Sequence, residues 1–428
     1  MRKRILSLRN LFISETARNT YAVFLGNILS AFFSFLFTVI LVRLLTLADF
    51  GYFSALLSLM LLAGELSDIG IGQSLSSFLP PLQQTRLKLN NFLKAALMTQ
   101  IVISLVVSLL IISMSKQLSL LLFHSTDFAF FVVLTAVSIF CYVIANFVNY
   151  SLSARKKFLP VAFLTAFGSL VRMIFLLFVI ILTKVNLNNA VYAQTLSLIF
   201  LLTVSLLMIN FNFTGSKSRF SDMKKLMRFA YLLGFARMFT TIAYRLDVLM
   251  LVSLKNATEA GIYSTASRVI SIYPLLSASF LTVIAPKIAV ISDKRELQKY
   301  LLKIIFAVCG LIGTILFMIL IAQPFMLLLF GEKGLPAVSV FKLLLISMIF
   351  FVASIPAVSL AIYYLKAPYI LTVNSIIQLI IVIVGNFLFI PTFGRHGPAI
   401  SLILAFGITL IITSLMTVIR FHDKTKNL

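Results

Sequence analysis

Residues 155–183 read RKKFLPVAFLTAFGSLVRMIFLLFVIILT. Three basic residues are followed by 26 that carry a single charge, Arg172. A bilayer hydrocarbon core is about 30 Å thick, and a helix needs about 20 apolar residues to cross it. This run is long enough, and a cluster of cations at one end anchors a span on its inner side. The rest of the chain has the same texture. Of 428 residues, 61% are hydrophobic and only 11% are charged, with a mean hydropathy of +1.09. A soluble protein carries about 25% charged residues. The composition excludes a soluble enzyme, a disordered chain and a disulfide-framed secreted domain.

Working outward from that run, twelve helical spans are predicted, near 18–45, 50–79, 89–113, 128–152, 158–183, 189–212, 226–253, 259–286, 299–323, 337–364, 369–390 and 398–419. The segment 325–330 is too short to span and reads as the tail of the ninth helix or an interfacial piece. The first run is too long for a signal-peptide core and is expected to remain in the mature protein. The net charge of +24 would suggest nucleic acid on a soluble protein. Here the cations sit between apolar runs and anchor loops, so no nucleic-acid partner is expected. With the N-terminus inside, 24 Lys and Arg fall on the cytoplasmic side and 5 on the other. That asymmetry predicts cytoplasmic termini and an even number of spans. Cys141 and Cys309 fall inside apolar runs and read as small core residues. The three histidines show no ligand spacing, so neither a metal nor another cofactor is expected.

Two short patterns recur half a chain apart. Asp49-Phe50-Gly51-Tyr52-Phe53-Ser54 opens the second span and Glu259-Ala260-Gly261-Ile262-Tyr263-Ser264 opens the eighth, 210 residues on. Ser151-Leu152 before Pro160 matches Ser359-Leu360 before Pro368, at an offset of 208. Two matches at nearly one offset predict a duplication, 1–212 and 213–428, each half a six-helix bundle. Six is even, so both halves enter the membrane in the same direction, as in transporters built from parallel repeats.

Charges at membrane depth usually face a cavity or a partner. Here they are Arg172, Arg237, Arg245, Asp247, Arg268, Glu65 and Asp68. Helical spacing aligns Asn27, Ser30, Ser34 and Thr38 on the first helix, and Arg237, Thr240, Thr241 and Tyr244 on the seventh. It aligns Ser54, Ser58, Glu65 and Asp68 on the second, and Ser264, Arg268, Ser271 and Ser279 on the eighth. Such faces could wall a wet cavity, although serines and threonines also bind helices to one another. Arg245 and Asp247 are close enough in sequence to neutralise each other. The excess of deep arginines over carboxylates implies an anionic cargo, since guanidinium matches phosphate. Pro274 and Pro356 are expected to kink or break their helices.

The chain resembles the polysaccharide-biosynthesis flippases, the Wzx group of the multidrug/oligosaccharidyl-lipid/polysaccharide exporter superfamily. The resemblance rests on Asp49-Phe50-Gly51-Tyr52, on Tyr244-Arg245-Leu246-Asp247 and on Glu259 to Ser264. It rests further on Leu329-Phe330-Gly331, Pro391-Thr392-Phe393-Gly394 and Gly397-Pro398-Ala399-Ile400. It implies an all-α integral membrane protein, twelve transmembrane helices in two pseudo-symmetric six-helix bundles around a central cavity. It implies a cargo of undecaprenyl-pyrophosphate-linked oligosaccharide, the repeat unit of O-antigen or capsule, moved from the inner to the outer leaflet of a bacterial cell membrane. Membrane lipids, a polysaccharide polymerase and a chain-length regulator are the partners that go with it. On this reading Arg237 and Arg268 meet the pyrophosphate, Arg172 supports the field, and Asn27 and Tyr244 line the path. Asp247 is the expected coupling switch, with Glu65 and Asp68 as alternatives.

Two other functions compete. A cation-coupled drug or metabolite exporter shares the fold, but an arginine-rich cavity repels cationic drugs. An integral-membrane polymerase or ligase would need a sizeable outer loop, and the longest expected here, 114–127, is short. No catalytic residue is assigned.

Overall fold

The computed structural model describes residues 15–82, 85–208, 238–239, 241–291 and 293–426. Among the described residues the regular elements are all helical, and no strand occurs. The first half of the chain forms α1 (Glu15–Leu44), α2 (Leu47–Asp68), α3 (Ile71–Leu82), α4 (Arg86–Ser113), α5 (Ser115–Phe123), α6 (Ala129–Ala154), α7 (Phe158–Leu182) and α8 (Leu187–Met208). The second half forms α9 (241–254), α10 (Ala257–Ile270), α11 (Ile272–Val290), α12 (Lys294–Leu320) and α13 (Ala322–Phe330). It continues with α14 (Val338–Ala353), α15 (Ile355–Ser359), α16 (Tyr369–Phe393) and α17 (Gly397–Lys426). Ten helical stretches are long and apolar enough to cross a membrane, and the last of them, 369–422, contains the turn between α16 and α17. With that turn, and with α9 as the described part of the seventh span, each of the twelve predicted spans has its helix. Their outer faces are apolar. Phe24, Leu25 and Phe32 on α1, Ile181 on α7, and Phe306 and Leu320 on α12 are all more than half exposed. Faces of this kind match lipid rather than water.

Several spans are not straight, and the sequence says why. The run expected at 50–79 is two helices, α2 and α3. Ile69 and Gly70 turn the backbone through positive φ, 46° and 81°. The Asp68 carboxylate then accepts the Gly72 amide at 3.0 Å, capping α3. Glu65 and Asp68 therefore sit at the end of a helix, not midway along a continuous one. The eighth span breaks at Ser271, where Pro274 has no N–H for the Ile270 carbonyl. Ser279 is thus on a different helix from Ser264 and Arg268, and the expected four-residue stripe is divided. The tenth span breaks at Ser354, two residues before Pro356, and continues as α15 and a π turn, Leu360–Tyr364. Both prolines act as expected. The segment around 325–330 is a separate short helix, α13. Its counterpart α5 occupies the expected outer loop 114–127. α5 ends Leu120-Leu121-Leu122-Phe123 and α13 ends Leu327-Leu328-Leu329-Phe330, each followed by a positive-φ residue, His124 or Gly331. The offset is 207, a third match between the halves.

The chain divides into two compact units, 1–44 with 59–238, and 45–58 with 239–428. In the first unit α1 lies along α7. A Cβ on Gly26 would stand 2.7 Å from the Ala162 carbonyl oxygen, and the hydroxyls of Ser30 and Ser34 lie 2.7 and 3.1 Å from that of Ser169. Small residues four apart let two membrane helices approach closely. The core beside them joins Ile71, Leu75 and Leu79 of α3 to Leu93 of α4 and Phe147 of α6. In the second unit, which includes the start of α2, α2 and α10 cross at two glycines. A Cβ on Gly51 would overlap the Ala257 carbonyl, and one on Gly261 would overlap the Leu47 carbonyl. Both helices start with the same cap. Thr46 Oγ1 accepts the Asp49 amide at 3.1 Å, and Asn256 Oδ1 accepts the Glu259 amide at 2.9 Å. Glu259 also accepts the Arg395 amide at 2.8 Å and lies 3.5 Å from its guanidinium. Of the two cysteines, Cys141 is buried in α6 as expected, whereas Cys309 is exposed on the outer face of α12.

Candidate functional site

In the first unit the deepest charge is Arg172, near the middle of α7. Its guanidinium carbon stands 4.6 Å above the ring of Phe37 on α1, and its Nε is buried with no hydrogen-bond partner. Phe37 is itself 2% exposed. A cation–π contact returns about 2 kcal/mol or more when desolvated. Placing an arginine at the centre of a membrane helix costs about 2.5–3.5 kcal/mol. The two magnitudes are comparable, so the ring offsets much of the cost, and what stays unsatisfied is the Nε donor. The serines of the α1 stripe behave otherwise. Ser30 and Ser34 spend their hydroxyls on Ser169, and Thr38 returns its own to the Ser34 carbonyl at 3.0 Å. They bind helices together, while Asn27 lies exposed on the unit's surface. Glu65 accepts a 3.3 Å hydrogen bond from Tyr142. With Asp68, Asn146 and Tyr150 it lines a cavity of about 10 Å³. That is room for one water and for no cargo.

In the second unit Asp247 of α9 is 3% exposed. The hydrogen bonds that reach it among the described residues come from Tyr263 Oη, at 2.6 Å, and Asn386 Nδ2, at 2.9 Å. They cross from α10 and α16. The sequence offered Arg245 as the partner, but residues two apart on a helix point to opposite sides. The carboxylate is held by neutral donors instead. Arg268 is half-buried on α10, and the Ser264 hydroxyl one turn before it is buried without a partner. Arg237 and Thr240 lie outside the described residues.

Tyr244 borders a cavity of about 300 Å³ inside the second unit, with Phe351 of α14, Phe406 of α17, and Asn374 and Gln378 of α16. The amides were missed in the sequence, although their signal was there. Asn374 and Gln378 are four apart in an otherwise apolar run, the spacing that marks one helical face. Asn386 is eight residues further along the same helix. Tyr263 gave no such signal, because a tyrosine at a helix start reads as an interfacial anchor.

Solved structures share this fold. An inward-facing multidrug resistance MATE family transporter of the MOP superfamily matches with a TM-score of 0.76 at 13% identity, over 93% of this chain and 96% of that one. The lipid II flippase MurJ, in an inward closed conformation, matches with a TM-score of 0.73 at 14% identity, over 96% and 93%. A MOP superfamily transporter from Pyrococcus furiosus matches at 0.59 and 13%, over 94% and 92%. The architecture is thus that of the MOP superfamily transporters. No curated protein sequence matches. Residues 16–292 match the family model described as polysaccharide biosynthesis protein, and the chain belongs to that family.

Proposed function

We propose that the chain is a flippase for undecaprenyl-pyrophosphate-linked oligosaccharide, carrying an O-antigen or capsule repeat unit from the cytoplasmic to the outer leaflet by alternating access. It resides in the bacterial cell membrane, the inner membrane in a Gram-negative cell, with both termini cytoplasmic. The family match over 16–292 carries this reading. Arg172 supports it, as a cation in a membrane-spanning helix whose Nε has no hydrogen-bond partner. The pyrophosphate is met by Arg237 and Arg268, with Arg172 adding to the field. Asp247 is the coupling group, charged in one state and protonated in the other. Glu65 and Asp68 are the alternatives. The 10 Å³ around those two admits a proton or a water and suits that role better than cargo contact.

The test is direct. Cells lacking the gene should accumulate lipid-linked repeat units on the inner leaflet, and the chain supplied in trans should restore surface polysaccharide. If it instead restores drug resistance to a pump-deficient strain and leaves polysaccharide unchanged, the exporter reading replaces this one.

A further inference from the structure

We propose that the cavity inside the second unit is a binding subsite for a neutral sugar ring. It lies among α9, α11, α14, α16 and α17, and its volume is about 300 Å³. That is the lower end of the range for small-molecule sites, about 300–1,000 Å³, and suits a single monosaccharide. Its walls combine two chemistries. Tyr244, Phe351 and Phe406 form a continuous aromatic cluster, with ring centroids 6.5 Å apart for Tyr244–Phe406 and 5.3 Å apart for Phe351–Phe406. Around them stand neutral donors and acceptors that the fold leaves unused. Ser277 Oγ and Asn374 Oδ1 are buried and have no hydrogen-bond partner, and the Gln378 amide stands beside the Tyr244 hydroxyl on the same wall. Ser277 as a residue is 2% exposed. Buried polar groups are almost always paired, so two unpartnered ones around one cavity point to a ligand that satisfies them.

The ligand class follows from what the walls offer. None of the described residues that line the cavity is charged. A phosphate, a uronate or a cation would lose its hydration there without a counter-charge. A lipid tail would leave the amide and hydroxyl groups unpaired. A pyranose ring has C–H faces that stack on aromatic rings and hydroxyls that donate and accept at its rim. Both are matched here. The assignment rests on the reading of the cargo as a glycan and deepens it. The arginines take the pyrophosphate, and this cavity takes a sugar of the repeat unit.

The test uses the full chain in deuterated-lipid nanodiscs and saturation-transfer NMR. The probes are glucose, galactose, rhamnose and N-acetylglucosamine, with glucuronate and tetraphenylphosphonium as charged comparators. At least one neutral sugar should show saturable transfer, and the charged probes none. Gln378→Leu removes a polar amide from the cavity wall at nearly constant volume and should weaken binding about five- to ten-fold. Thr409→Val provides a second site on the same wall. The assignment falls if no neutral sugar binds the folded wild type. It falls as well if tetraphenylphosphonium binds in its place, or if folded Gln378→Leu and Thr409→Val both bind sugar as the wild type does. Sugar binding by a chain that fails to restore polysaccharide export would sink the flippase reading and leave the cavity assignment standing.

Discussion

At the scale of single residues, Arg172 and Asp247 are both predicted to lose their charge without losing the fold. Arg172 is half-buried over Phe37, and the cation–π contact does no more than offset the cost of a charge at membrane depth. Arg172→Leu is therefore expected to melt at the same temperature or higher, while polysaccharide export falls to background. Arg172→Lys should keep part of the export, because the charge survives and the fork does not. A leucine variant that loses melting temperature and export together would make the arginine a packing residue. Asp247→Asn should fold normally, since an amide can accept from Asn386 and donate to the Tyr263 hydroxyl. Coupling then predicts that lipid-linked sugar still binds while transport in proteoliposomes no longer follows a pH gradient. Unchanged gradient dependence would remove Asp247 from the mechanism. Sequence alone singled out both residues, because a charge in an apolar run is visible without a structure. It did not reveal their partners. Phe37 is 135 positions from Arg172 and Asn386 is 139 from Asp247. Such pairings are set by packing between helices, which local spacing does not encode.

At the scale of elements, the sequence was most informative where a residue dictates its own backbone. Pro274 and Pro356 announced breaks that occur. Asp68-Ile69-Gly70 carries a comparable signal, a capping carboxylate followed by a glycine, yet it lies inside an apolar run that hides it. The short helix α5 was read as loop, and α13 was noticed only as a piece too short to span, for a related reason. Nine residues are too few to show a span. The stripe on the first helix is one face and the one expected on the eighth span is divided, and a face does not name its neighbour. Ser30 and Ser34 turned out to meet Ser169. The crossing of α2 and α10 gives the element-scale prediction. At Gly51 a side chain would run into the carbonyl of Ala257, so Gly51→Val should cost about 1–3 kcal/mol or more by overpacking. Thermal melting of the purified variant measures it. A melting temperature within a degree of wild type would mean that the helices part freely.

At the scale of the whole molecule, the alternation of basic loops predicts which side each loop faces. Reporter fusions at Phe220 and Lys294 should be active only with a cytoplasmic reporter, because both fall in basic segments on the N-terminal side of the membrane. Activity of a periplasmic reporter at either position would break the twelve-span arrangement. Charge bias is a property of the chain as a string, so this prediction does not depend on where each helix bends or breaks. Family membership was legible too, from loose motifs that the structure now explains. Asp49 and Glu259 stand three residues after the cap residues Thr46 and Asn256, and Gly51 and Gly261 make the crossing. These residues are held by backbone geometry, which tolerates few alternatives.

The crossing at Gly51 and Gly261 also bears on how this protein can change over generations. At most crowded positions a damaging enlargement can be rescued by trimming the side chain it strikes. Here the obstacle on each side is a peptide oxygen, of Ala257 or of Leu47, and no codon removes a peptide oxygen. A second mutation has nothing to shorten. A selection for regained polysaccharide export, started from Gly51→Val, should return the original glycine codon far more often than any compensating change within 257–261, since even the Cβ of alanine would meet the Ala257 oxygen. The two glycines are thus sites at which descent is nearly closed, and lineages that lose one of them must restore it in place.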